Sequence, residues 1–514
     1  MKKFLKYKKS SVLLLAGLLA FSSCENALDV DPRQSIDMAT ALSSRETVNA
    51  AIASAYSRLK SARAYGRDMV ALPEALADNG QATNRSGRLL NESNNVPGAH
   101  FASWQNYYYT INEVNLALDA IPSLNLVPAV SEQERNLWEG RLQFLRAISY
   151  FDLVRSYAYI PGAVVPSQAK GGVPLVLTGV KELADAVNRL PERAPIADVY
   201  AQIYADLKAA ETKLGNAGTA GTSGTAWGTR VAAQALLARV ALYNKDYATA
   251  KEYADKVIAS HGSKLLTPTN YVAGWRSAVN PESLFEVTYS INAENIGVNE
   301  SLQTTFTSLV TPGVRTQTGG FGDLVPTSGL LTALGITVTG NGTNSAAITA
   351  RNSDVRNLLF ELGTSGRGAP FVETTKYIGK NGFINLDNAP VLRIAEMYLI
   401  RAEVQATAGA STFNEVEALK DLVRIKTNRY SDYVGSAIAT ADAALTGSAL
   451  YEEIIRQRRI EFAFEGHRFF DMKRLGRDIV KSPSNLLFTD FRILPSIPVR
   501  ELDGNPNLVN NVGY

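Results

Sequence analysis

The chain has 514 residues, 46% of them hydrophobic, with 52 basic against 49 acidic side chains and a formal charge of +3. That length and apolar share supply a large core, in one big domain or two joined ones. Near-balanced charge, with no basic run beyond the first ten residues, excludes a nucleic-acid binder, and a single cysteine excludes a disulfide framework.

The first residues set the compartment. Lys2, Lys3, Lys6, Lys8 and Lys9 form a positive stretch ahead of an apolar run from Val12 to Phe21. That run is too short for a bilayer, which needs ~20 residues in a helix, and reads as an export signal. The only cysteine, Cys24, comes directly after Phe21-Ser-Ser. The arrangement resembles a bacterial lipobox, with Phe21 where leucine is commonest. It implies that residues 1–23 are a lipoprotein signal peptide and that Cys24 carries the lipid. Several acyl chains would anchor the protein stably on a membrane.

Helical periodicity dominates the rest of the chain. Ser43 and Glu46 have the spacing of a capping box before Val48, Ile52, Ala55 and Leu59. Leu72 to Phe101, rich in Asn, Gly, Ser and Arg, is expected to be a long exposed loop. Trp104, Tyr108, Ile111, Val114 and Leu118 predict a helix stopped by Pro122, and Leu137 to Ala158 another ending before Pro161. Val199 to Leu214 gives a further helix, closed by Gly215. Val231 to Ser260 then carries Ala238, Tyr247, Ala250 and Ala254 in tetratricopeptide-like positions, with a turn at 244–246. A related pair is expected from Leu392 to Ala406 and from Asn414 to Lys426.

The expected fold is therefore mainly α. Tetratricopeptide-like helical pairs form a scaffold over 36–260 and 390–480, within a single domain over 24–514. A long irregular insertion over about 264–389 interrupts it, with short strands at Ser283–Tyr289 and Ile336–Thr339. Irregular segments on a rigid base are where binding surfaces tend to be built.

The stretch Ile455 to Gly476 packs Arg459, Glu461, Glu465, His467, Arg468 and Asp471 among large apolar residues. It reads either as an anion-binding or active site, or as a structural clasp of mutually paired charges. Carboxylates within a few residues of the cations favour the clasp, with Arg459, Glu461, Glu465 and Arg468 as its members. Ser448 is the expected cap of its helix, and Glu452 and Arg456 an expected i,i+4 pair.

No Walker loop, dinucleotide fingerprint or nucleophile elbow occurs, and His100, His261 and His467 are too far apart for a standard zinc motif. A binding protein without metal or other cofactor is the expectation, rather than an enzyme. A secreted hydrolase on a helical scaffold is the alternative, since a carboxylate pair could be assembled by folding.

Several blocks together resemble the SusD/RagB family of outer-membrane nutrient-uptake lipoproteins. They include Cys24 to Pro32, the run Trp104-x3-Tyr108-x2-Ile111-x3-Asn115, Phe144 to Arg155, Asn280 to Val287, Pro390 to Glu403, Arg458 to Arg468 and Ile497 to Asn507. The resemblance implies a cell-surface lipoprotein in the outer membrane. Such a protein captures a glycan, or in the alternative a peptide, and delivers it uncleaved to a SusC-like TonB-dependent β-barrel transporter. It also implies a ligand lying between polar loops. The candidates here are Asp78, Asn79, Arg85, Asn95 and His100 in the first loop region, and Tyr289, Asn292, Arg315 and Phe321 in the insertion.

Overall fold

The computed structural model describes residues 42–514 except 291, 381 and 484; Cys24 and the export signal lie outside the described residues. The longer helices are α1 (Arg45–Ser57), α2 (Asp68–Ala75), α3 (Trp104–Ala120), α4 (Glu132–Tyr157), α5 (Ile196–Asn216), α6 (Arg230–Tyr243) and α7 (Tyr247–His261). They continue with α8 (Ile394–Ala406), α9 (Glu415–Thr427), α10 (Gly447–Glu461) and α11 (Arg468–Arg474). From α3 to α9 each helix packs against the next, forming one curtain of helices.

Local chemistry explains most of these elements. Ser131 and Glu134 close a capping box at the start of α4, satisfying two backbone donors. Trp138, Leu142, Leu145 and Ile148 then line its buried side against α3 and α5. Between α6 and α7 the turn passes through Lys245 at φ +56°, and Asp246 caps α7 by accepting from the Thr249 amide. Fully buried Ala235, Ala238, Ala250 and Ala254 let these two helices approach closely.

The chain leaves the curtain after α7 and returns at α8, which packs directly on α7. Most of the strands lie in between. β1 (Gly80–Ala82) pairs with β3 (Leu324–Pro326), and β2 (Ser283–Val287) with β8 (Ala389–Arg393). β4 (Ile336–Thr339) pairs with β5 (Ala347–Arg351), and β6 (Phe360–Leu362) with β7 (Val372–Thr374). All four pairs are antiparallel and two-stranded.

Three local expectations are corrected. The cap of α1 is Ser44, reciprocated by Thr47, because Ser44 is the last extended residue before the helix. Helix α10 starts at Gly447 behind Thr446, so Ser448 is already helical. Arg456 takes both oxygens of Glu453, one position closer than expected, and Glu452 pairs instead with Arg477. A fourth concerns Leu72 to Phe101. Every residue of α2 is buried, as are Asn79, Asn95, His100 and Phe101, because later segments of the chain pack over them.

Candidate functional site

The residues after β1 are stitched to the insertion across more than 230 positions of sequence. The Thr83 hydroxyl donates to the Gly322 carbonyl at 2.8 Å. Arg85 spreads its fork over the carbonyls of Phe321 (3.0 Å) and Ala369 (3.1 Å) and the Glu373 carboxylate (2.6 Å). Ser86 and Arg88 both donate to Asp323, at 2.5 and 3.0 Å. Glu373 is fully buried and also accepts from Thr307 and from the amide and hydroxyl of Ser308. Burial pushes its carboxyl up, against the pull of Arg85 and Ser308. These bonds fix one loop region on the other, as a rigid seam.

On this seam sit two half-buried rings among guanidinium groups. Arg88 and Arg367 stack on Phe321 at 4.6 and 4.0 Å from the ring centre, and Arg85 lies 5.5 Å from the centre of Phe371. Arg367 uses its Nε on the Gly320 carbonyl (2.9 Å), and exposed Arg315 uses its Nε on the Gly363 carbonyl (3.0 Å). Among the described residues the terminal nitrogens of Arg315 and Arg367 have no further hydrogen-bond partner. Such a surface offers ring edges for an apolar face and fixed donors for hydroxyl, amide or carboxylate oxygens.

Of the residues expected to contact a ligand, the structure brings Arg85, Arg315 and Phe321 to this seam. The others go elsewhere. Asn79 is fully buried: its Nδ2 donates to Glu74 at 2.8 Å and its Oδ1 accepts from Arg459 at 2.8 Å. Asn95 is buried and donates to the Leu76 carbonyl. His100 is buried between Phe101 and Phe469, and burial with nearby Lys473 pushes its pKa down to about 3. Buried Tyr289 donates to the Lys60 carbonyl at 2.7 Å. The Asn292 side chain is not among those described. Arg88, Arg367 and Phe371 are seam residues that sequence reasoning does not single out. Arg367 stands in Gly-Arg-Gly, a spacing that lifts one guanidinium out of a turn and could have flagged it.

The C-terminal charges form an ion-pair network. Arg356, Arg393, Arg429 and Lys376 face Asp354, Glu282, Glu461 and Glu465, all with side chains at most 2% exposed. Equal numbers of cations and carboxylates balance the charge within this group. At its edge Arg459 and Arg468 reach Asp78. Gly466, at φ +83°, passes so close to Met69 that a Cβ would collide with its carbonyl, and its amide donates to Glu74 at 3.1 Å. Among the described residues no cluster of His, Cys, Asp and Glu is arranged to hold a metal ion.

Two family models match this chain: the SusD family over residues 369–485, and "Starch-binding associating with outer membrane" over residues 27–242. SusD-like proteins also match the chain over 98% of its length or more, so it is similar to the SusD/RagB family throughout. Among SusD-like relatives, protein P38 of Formosa agariphila is 24% identical over 549 residues, covering 100% of both chains. The mainly helical fold is shared with a SusD superfamily protein from Bacteroides thetaiotaomicron, at TM-score 0.73 and 23% identity over 91% of this chain and 99% of that one. A laminarin-binding SusD-like protein aligns at TM-score 0.63 and 19% identity, over 92% of this chain and 100% of that one. No described helix is long and apolar enough to cross a membrane.

Proposed function

We propose that this protein captures a glycan on the seam between residues 83–88 and the insertion, and passes it uncleaved to a SusC-like TonB-dependent transporter. The observation that carries this reading is the cluster of Phe321, Phe371, Arg315 and Arg367. Backbone bonds hold the two guanidinium groups, Arg315 is exposed, and Arg367 and both rings are half-buried. A preorganised surface of this kind loses little side-chain entropy on binding. Support for a glycan comes from the starch-binding family model and the laminarin-binding structural relative.

In the same reading Cys24 carries a lipid that holds the protein on the outer membrane, facing outward. The polar chemistry of the seam would also suit a peptide, and one experiment separates the two. The mature protein is incubated with a panel of neutral and charged oligosaccharides and with peptides, and both binding and products are measured. Retention of oligosaccharides with no new reducing ends is the expected outcome. Retention of peptides alone, or steady release of shorter sugars, contradicts the proposal.

A further inference from the structure

A cavity of about 310 Å³ opens where the start of α6, the end of α7 and the start of β2 meet. Its walls include Thr222, Thr225, Thr229, Arg230, His261 and Lys264, and no carboxylate lines it. Elsewhere in the same helices cations are matched: Arg239 pairs with Glu396, and Lys251 with Asp255. Here they are not. Arg230 is exposed and has no ion-pair or hydrogen-bond partner among the described residues. Among the described residues Lys264 hydrogen-bonds only to the Ser283 carbonyl, at 3.3 Å, and His261 only to the adjacent Ser260 hydroxyl, at 2.9 Å.

Burial lowers the pKa of both Lys264 and His261, and Lys264 lowers that of His261 further. Glu286, whose field reaches Lys264, is itself buried and held by the Ser283 hydroxyl and the Asn280 amide. The first turn of α6 is capped, the Ala232 amide donating to the Thr229 hydroxyl at 3.1 Å. The pull of this cavity therefore comes from converging side chains, not from a helix end. A concave wall bearing one sign of charge concentrates counter-ions. Arg230, His261 and Lys264, with the hydroxyls of Thr225 and Thr229 in the same wall, bring donors from separate segments of the chain to one cavity. That suits an oxyanion with acceptors on all sides better than a planar carboxylate.

We infer that this cavity binds a tetrahedral oxyanion, a sulfate or phosphate group, either free or carried as an ester on a sugar. The cavity is separate from the seam, and its anion binding holds whichever ligand the seam takes. Calorimetric titration of the mature protein with sodium sulfate and, separately, with glucose 6-sulfate, at constant ionic strength, tests this. Glucose and sodium chloride serve as blanks. Saturable binding of at least one sulfate is expected. Lys264→Met and Arg230→Gln should each weaken it about tenfold, the loss of one charge-assisted hydrogen bond. Without anion, their melting temperatures should match that of wild type. Tighter binding of the ester assigns the group to a glycan, and tighter binding of inorganic sulfate assigns it to a free ion. Absence of saturable binding for both, or unchanged affinity in both variants, overturns the inference.

Discussion

Arg468 closes on Asp78 with two hydrogen bonds, Nε to Oδ1 at 2.6 Å and Nη2 to Oδ2 at 3.0 Å, across 390 positions of sequence. Arg459 adds a third contact to the same carboxylate at 3.2 Å. A residue expected at the ligand and residues expected in the clasp thus meet in one group. Removing the carboxylate leaves two guanidinium groups unmatched at a mostly buried site. Asp78→Ala should destabilise the fold by about 3 kcal/mol, the lower end for a broken buried pair. Urea unfolding measures this, and glycan affinity of the folded variant should be unchanged.

The same group gives a pH signature. Burial raises the Asp78 carboxyl, but Arg468 and Arg459 outweigh it and hold it below the ordinary value. A depressed folded pKa contributes stability that is complete above the unfolded value, ~3.9, and is lost as pH falls through the folded one. The stability gap between wild type and Asp78→Ala should therefore narrow below about pH 4. Parallel unfolding midpoints for the two proteins down to the acid limit would rule this out.

Glu461 accepts from Arg429 at 2.9 and 3.0 Å and from Arg393 at 3.0 Å, and Arg356 pairs with it at 3.3 Å. Its burial would raise the carboxyl, yet these cations hold it well below the usual range. Glu461→Gln keeps the shape and removes one charge from a matched set. A loss of about 3–5 kcal/mol is expected by chemical denaturation. A change below about 1 kcal/mol, the scale of a surface pair, would show that the network is not a structural lock.

For Cys24, outside the described residues, the expectation is a lipid-anchored mature chain. Wild type should enter the detergent phase on Triton X-114 partitioning, and Cys24→Ala should stay in the aqueous phase. Equal partitioning of the two would mean that Cys24 carries no anchor.

Much of the scaffold was legible because its signals are local. Trp104 to Leu118 and Leu137 to Val154 keep one apolar side over several turns, and both form helices. Small residues at 238, 250 and 254 marked a close hairpin, and α6 and α7 form it. Ser283 and Ile336 open strands where expected. The polar residues around 78–100 were misjudged for a physical reason. Composition alone could not separate solvated Asn and His from Asn and His covered by α11 and paired with α10. The partners of Asp78 and Asn79 lie some 380 to 390 positions away. Arg85 and Arg315 did reach the seam, yet the rings and forks around them come from turns with no periodic pattern.

Whether the seam holds the ligand through Arg315 and Arg367 is decided by calorimetry on an oligosaccharide that wild type retains, repeated with the Arg315→Ala/Arg367→Ala double variant. Among the described residues each side chain makes only one hydrogen bond, to a backbone carbonyl, besides the ring contact of Arg367. The melting temperature of the double variant should therefore stay within a few degrees of wild type. Its affinity should fall at least tenfold, the loss of about 1.4 kcal/mol or more of hydrogen bonding. Unchanged affinity in a correctly folded double variant would place the ligand away from the seam.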